Sequence, residues 1–327
     1  MKKKLFVIIL ALGILLSACG KAQSDSTDKT NSETTKTVKV GIIQFAEHIA
    51  LDRARTGFID ELKDMGFEVE ESVVNVQGDI TLVPIATKKF EDDKVDIIYA
   101  IATPAAQGAK EASDHTPIIF NAVTDPLAAQ LVDSNEKPGG NVTGVSDFFP
   151  MKAQLESFLE IFPDVKKLGV LYSTGEANSE AQIIDLRTVA SELGLELVET
   201  GVSTTNDVAQ AMASLVTKID CYIAIQDNLA SSAAGIIAKS LSDAGIPSLA
   251  GEGGPVENGI LLSDGVDYEN LGKEAALIAK KIIEGEKPGT IPVVFSSNIK
   301  RVVNQETAEK LNLSDNEKLF ENAQIVK

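Results

Sequence analysis

Four polar clusters in this chain each follow a short apolar run, and they hold side chains suited to gripping a small charged molecule. They are Glu47-His48, Thr103-Pro104, Thr124-Asp125 and Asp227-Asn228. Thr is a good helix N-cap and Pro suits the first helical position, so Thr103-Pro104 predicts a helix start. Its free N–H groups and dipole would favour an anion such as a carboxylate. Asp227 opens a helix in the second half of the chain and would face an ammonium. An anion acceptor and a carboxylate together suit a zwitterion. Plainer roles compete: Thr103, Asp125 and Asp227 can simply cap, and Glu47-His48 can tie down a loop.

Catalytic signatures are missing. The sequence has no Gly-x-Ser-x-Gly, no His-Glu-x-x-His and no phosphate loop. Two His and a strand-borne Cys221 supply too few parts for metal or triad chemistry. Gly251-Glu252-Gly253-Gly254 lacks the last glycine of a dinucleotide fingerprint and is followed by Pro255. The expectation is a binding protein, not an enzyme, with no cofactor and no metal.

The elements that would position these clusters occur twice. A strand at Val40–Gln44, a helix at Leu51–Met65 and a stop at Gly66 are matched by Leu168–Tyr172, Ala181–Leu193 and Gly194. Gly41 and Gly169 are 128 positions apart, as are Gly66 and Gly194. Short strands rich in Ile and Val alternate with helical stretches, which predicts parallel sheets covered by helices on both faces. The fold class is therefore α/β, as two doubly wound lobes joined by a multi-segment hinge. One lobe takes residues 38–146 plus about 268–295, the other 147–265, with 296–327 near the hinge. Ligands in such sheets bind beyond the carboxyl ends of the strands, so the polar clusters would face one another across a cleft.

The first 37 residues tell a separate story. Lys2-Lys3-Lys4, an apolar run from Leu5 to Leu16 and Ser17-Ala18-Cys19 form a secretory signal over residues 1–18, with Cys19 as the lipidated residue. The run is too short for a bilayer span, which needs about 20 residues. Residues 19–37 then read as a polar tether. With 48 acidic against 30 basic residues, the net charge of −18 argues against nucleic acid as a partner. After lipidation only Cys221 remains, so no disulfide can form within the chain.

The stretches Val40–His48, Ile101–Gln107, Ala122–Pro126, Asn141–Asp147, Glu176–Ser179 and Gln226–Asn228 together resemble the substrate-binding lipoproteins of bacterial ABC importers. The branch resembled is the one linked to tryptophan and tyrosine uptake. The resemblance implies a type I periplasmic-binding-protein-like fold that works as a lipid-anchored extracytoplasmic monomer. It would capture an amino acid and deliver it to a membrane permease with a cytoplasmic ATPase. It places ligand contacts at Gln44, Glu47, His48, Thr103, Ala105, Thr124, Asp125, Asn178, Asp227 and Asn228. Ser263-Asp264-Gly265 departs from a Thr-aromatic-Gly pattern, so an aromatic wall would have to come from Phe45, Tyr172 or Tyr268. A receptor of the same fold feeding a signalling partner is the alternative, as is a binder of another amino-acid-like or peptide ligand.

Overall fold

The structure, a computed structural model, describes residues 36–327. The signal segment, Cys19 and all but the end of the tether lie outside those residues.

Apolar β-branched runs form most of the strands, and most strands are followed by a helix that packs against the sheet. The first lobe comprises β1 (Thr37–Gln44), α1 (Ile49–Asp64), β2 (Glu68–Asn75), α2 (Val83–Asp92), β3 (Ile97–Ile101), α3 (Thr103–Ala112), β4 (Ile118–Asn121) and β5 (Val142–Ser146). The chain then enters the second lobe with α4 (Met151–Ile161), β6 (Lys167–Ser173), α5 (Ala177–Glu192), β7 (Glu196–Val202), α6 (Val208–Leu215) and β8 (Cys221–Ala224). The same lobe continues through α7 (Asn228–Ser232), α8 (Ala234–Ala244), β9 (Ser248–Glu252), α9 (Gly254–Glu257) and β10 (Leu262–Val266). It returns to the first lobe for α10 (Tyr268–Ile283) and β11 (Val294–Phe295). A last crossing leads to β12 (Ile299–Asn304), α11 (Gln305–Lys310), α12 (Glu317–Phe320) and β13 (Gln324–Val326).

The first sheet has the order β2-β1-β3-β4-β5-β11, and its pairs are parallel. The second runs β7-β6-β8-β9-β10-β12-β13, parallel except where β12 lies antiparallel to β10. Helices cover both faces. In β6, Leu168 and Val170 enter one buried layer while Leu171 enters the other. Two doubly wound α/β lobes result, joined by three crossings after β5, β10 and β11.

The paired glycines have physical causes. A Cβ on Gly41 would sit 2.4 Å from the Phe90 ring, and one on Gly169 would sit 2.5 Å from Ile219. Each glycine lets the strand receive a large side chain flat against its backbone. Gly66 (φ 88°) and Gly194 (φ 71°) end their helices in a left-handed conformation that costs other residues about 1 kcal/mol or more.

Helices α1 and α10 make the closest helix contact of the first lobe. A Cβ on Gly57 would lie 2.2 Å from the Glu269 carbonyl, and one on Gly272 would lie 2.2 Å from the Ala54 carbonyl. Behind them Phe58 stacks on Tyr99, with ring centroids 3.9 Å apart. The Tyr99 hydroxyl donates to the Ala54 carbonyl at 3.1 Å. Leu271, Ala275 and Ile278 of α10 complete this core.

One expectation is corrected here. Residues 296–327 do not remain at the junction: β12 and β13 extend the second sheet, and Ala308 and Leu319 enter its core. The buried pair Val302-Val303, set beside β10, is what draws this segment in.

Candidate functional site

The loops at the carboxyl ends of the strands meet between the lobes. They close around an inner cavity lined by His48, Thr124, Asn178, Asp227, Glu252 and Tyr268, with Asp147, Ala122, Gln226 and Asn228 among its other walls. A wider chamber of about 440 Å³ adjoins it, bounded by Phe45, Ala46, Glu47, Gly78, Thr204 and Leu229 and sharing Asn228 with it. That volume falls in the usual range for small-molecule sites. The lobes touch directly: His48 Nε2 lies 3.3 Å from Asn228 Oδ1, and Arg53 of α1 pairs with Glu257 of α9.

Asp227 is the N-cap of α7. Its Oδ1 accepts from the Ala230 amide at 2.7 Å, and its Oδ2 accepts from the Ser173 amide and the Ser179 hydroxyl, both at 2.6 Å. Glu176 stands beside it and accepts from the Leu229 amide at 3.1 Å and from the side chain and amide of Asn228. Asn178 donates to the Gln226 carbonyl at 2.9 Å. These bonds fix the β8–α7 loop to the start of α5.

Burial dominates the electrostatics. It raises the carboxyls of Glu176 and Asp227, and their mutual repulsion adds to the rise at Glu176. Burial likewise pushes Glu252 up to about 7, against the Gly254 amide that favours its charge. Asp147 is raised by burial and opposed by the Tyr268 hydroxyl. The nearby Thr124 hydroxyl also favours its charge without reaching hydrogen-bond geometry. His48 keeps part of its surface open to the cleft, yet the protein around its ring holds it down to about 4. Three of these acids and a neutral imidazole therefore line the inner cavity, and Glu176 lines the chamber beside it.

The expected contact residues are not all brought together. His48, Thr124, Asn178, Asp227 and Asn228 line the inner cavity, and Glu47 lines the chamber. Gln44 lies behind the wall, where its Nε2 donates to the Ala46 carbonyl and to Asp52, both at 2.9 Å. Thr103 and Ala105 are buried one step back: the Ala102 amide donates to the Asn121 carbonyl, next to cavity residue Ala122. Thr103 is not the N-cap. That place belongs to Ala102 (φ 84°), and Thr103 is the first helical residue, so the helix starts one position earlier than the sequence suggested and Pro104 is its second residue. Thr103 Oγ1 is left buried without a partner among the described residues. Asp125 is off the site: it is exposed, and its Oδ1 accepts from the Leu127 and Ala128 amides to cap a turn. Asp227 reaches the wall, but three donors from its own chain already hold its carboxylate, so it does not stand free to face an ammonium.

Sequence reasoning assigned a ligand contact to none of Asp147, Glu176 and Glu252. Glu176 and Glu252 do fall in loops that follow strands, which is the signal that finds them. Of the three aromatic candidates, Tyr268 lines the cavity and Phe45 the chamber, whereas Tyr172 lines neither and packs on the core of the second lobe. Asp264, at the departure from the expected pattern, is paired with Arg301 Nε at 2.7 Å.

Residues 39–327 match the ABC transporter substrate binding protein family. The chain is 40% identical over 322 residues to the tyrosine-binding protein of Clostridioides difficile, covering 95% of this chain and 93% of that one. Among solved structures it resembles an ABC domain in complex with L-Trp from Streptococcus pneumonia. That match has a TM-score of 0.84 at 33% identity, covering 89% of this chain and 100% of the other. The ligand-free, open structure of a substrate-binding protein with adhesive properties from Clostridium difficile gives 0.68 at 41% identity, covering 89% and 99%. In shape, the chain thus matches the L-Trp complex better than the open structure, although identity runs the other way.

Proposed function

Because the chain belongs to the ABC transporter substrate-binding protein family, we propose that it captures an aromatic amino acid, tyrosine or tryptophan, between its lobes and delivers it to a membrane permease. The observation that carries this reading is the interlobe cavity. Both lobes contribute polar walls to it, and Asn178 Oδ1 among them is buried without a partner among the described residues. Asn178 and Asn228 contribute from the second lobe and His48 and Thr124 from the first, Gln44 holds the loop that carries His48 through the Ala46 carbonyl, and Glu47 faces the adjoining chamber. The α-carboxylate is directed towards the start of α3, one step behind the cavity wall at Ala122, where the first-turn amides of Thr103 and Ala105 have no carbonyl within the helix to bond and Pro104 has no N–H. The aromatic side chain lies towards Tyr268 and Phe45. The tyrosine-binding relative and the L-Trp-bound neighbour support this choice of ligand.

The test is a titration. The chain contains no Trp, so added tryptophan is the only indole emitter and its emission shift reports the site. Ligand bound by the folded form alone should add about 2.7 kcal/mol of stability at one hundred times Kd. Protein stripped of bound small molecules whose melting temperature stays constant across a panel of aromatic amino acids would count against the reading.

We also propose that the protein is extracytoplasmic and held to the membrane through Cys19, supported by the basic start, apolar run and small residues before it. Cys19→Ala should leave an unprocessed precursor or release the protein. A variant still cleaved after Ala18 and still partitioning with detergent would defeat the anchor.

A further inference from the structure

Two carboxylate oxygens at the inner cavity have no hydrogen-bond partner among the described residues. They are Asp147 Oδ1 and Glu252 Oε1, on side chains that are 1% and 4% exposed. Each acid is half satisfied. Asp147 Oδ2 accepts from the Tyr268 hydroxyl, and Glu252 Oε2 accepts from the Gly254 amide. Leaving a buried acceptor unmatched is unfavourable, and native structures rarely do so without a ligand, ion or water to meet it. Asn178 Oδ1 is a third unmatched acceptor on the same cavity.

The other acidic pair is different. Asp227 and Glu176 accept several donors each from backbone and side chains of the second lobe. Their charge is already spread over that loop. The two half-satisfied acids also sit where closure can be felt. Asp147 follows β5 at the first crossing, Glu252 ends β9 in the second lobe, and Tyr268 opens α10 after the return crossing. A cation between Asp147 and Glu252 would join all three parts.

We propose that Asp147 and Glu252 together hold the ammonium group of the amino-acid ligand, with Asn178 Oδ1 as a further acceptor. An ammonium has three N–H donors and no acceptor, which matches three unpartnered oxygens. Charge-assisted bonds of this kind are the strong ones. The assignment rests on the amino-acid reading given above, and it moves the positive end of the ligand from Asp227 to the hinge side of the cavity.

The test pairs amino acids with their des-amino analogues. L-tyrosine and L-tryptophan are titrated calorimetrically into the full protein beside hydroxyphenylpropionate and indolepropionate, which keep the ring and carboxylate but lack the ammonium. The wild type should bind the amino acids at least tenfold more tightly. Asp147→Asn and Glu252→Gln should each weaken amino-acid binding by about tenfold to a hundredfold. Neither should weaken the des-amino acids, so the preference collapses. The amides keep the shape of the acids, and a melting curve of each variant checks the fold. If the wild type binds the des-amino acids as tightly as the amino acids, or if both variants keep the full preference, the assignment is overturned. If the wild type binds neither kind of ligand, it is the amino-acid reading itself that fails.

Discussion

Asp227→Ala should lower the melting temperature of the unliganded protein by about 5–10 °C. The carboxylate caps α7 and accepts from Ala230, Ser173 and Ser179, with 1% of its surface exposed. Loss of an N-cap costs about 1 kcal/mol. Leaving the Ser173 amide and Ser179 hydroxyl unmatched in a buried loop adds about 1–3 kcal/mol for each. Relief of the repulsion with Glu176 offsets part of this. A net loss of about 3 kcal/mol gives the stated shift for a chain of this size. Binding should weaken too, because the β8–α7 loop carrying Asn228 loses its anchor. A thermal melt of the variant that coincides with wild type would show that Asp227 is not the structural cap described here.

Stability of the unliganded protein should fall as pH rises from about 4.5 to about 7. Glu252 is held up to about 7 in the folded chain, against an ordinary value of 4.5. Between those values the unfolded chain has lost this proton and the folded chain keeps it, so raising the pH favours unfolding. Below 4.5 both states are protonated and the contribution is fully present; above 7 it is gone. For Glu252 alone the integrated change is on the order of 3 kcal/mol. Glu176, Asp147 and Asp227 are raised by burial as well and act in the same direction. His48 opposes them. Its ring is held down to about 4, so the unfolded chain takes up the proton first as pH drops below 6.5, which lowers stability on the acid side. The acids outnumber it. Melting curves from pH 5 to pH 8 should therefore slope downwards, and Glu252→Gln should flatten them. A wild-type curve that rises across this window would refute the prediction.

The architecture was legible because its signals are local. Gly66 and Gly194 end helices, Val and Ile runs make strands, and the helix Tyr268–Ile283 is bounded by an Asp267 cap that accepts from the Glu269 amide. The membership of the last strands was not. Val302 and Val303 look alike at a junction or in a sheet, and only the antiparallel partner β10 decides between them. The site was legible as loops but not as roles. Spacing placed His48, Thr124, Asn178, Asp227 and Asn228 at one cleft. It could not say which carboxylates are consumed by the chain itself, since that depends on donors from residues as far off as Ser173 and Ser179. Asp147 and Tyr268 are 121 positions apart in sequence and bonded in space, a pairing no spacing announces.

The glycine contact between α1 and α10 also sets the order in which the chain can mature. The partner of the first helix is made only after the whole of β6 to β10 has been synthesised. The edge strand β11 of the first sheet comes later still, and the second sheet waits for β12 and β13 at the very end. Contacts that span over two hundred residues close slowly, because the intervening loop must be ordered first. A growing chain therefore cannot complete either lobe until nearly all of it has emerged. Such a chain stays open to any machinery that needs it incompletely folded, and its second sheet is complete only once its last strand is available.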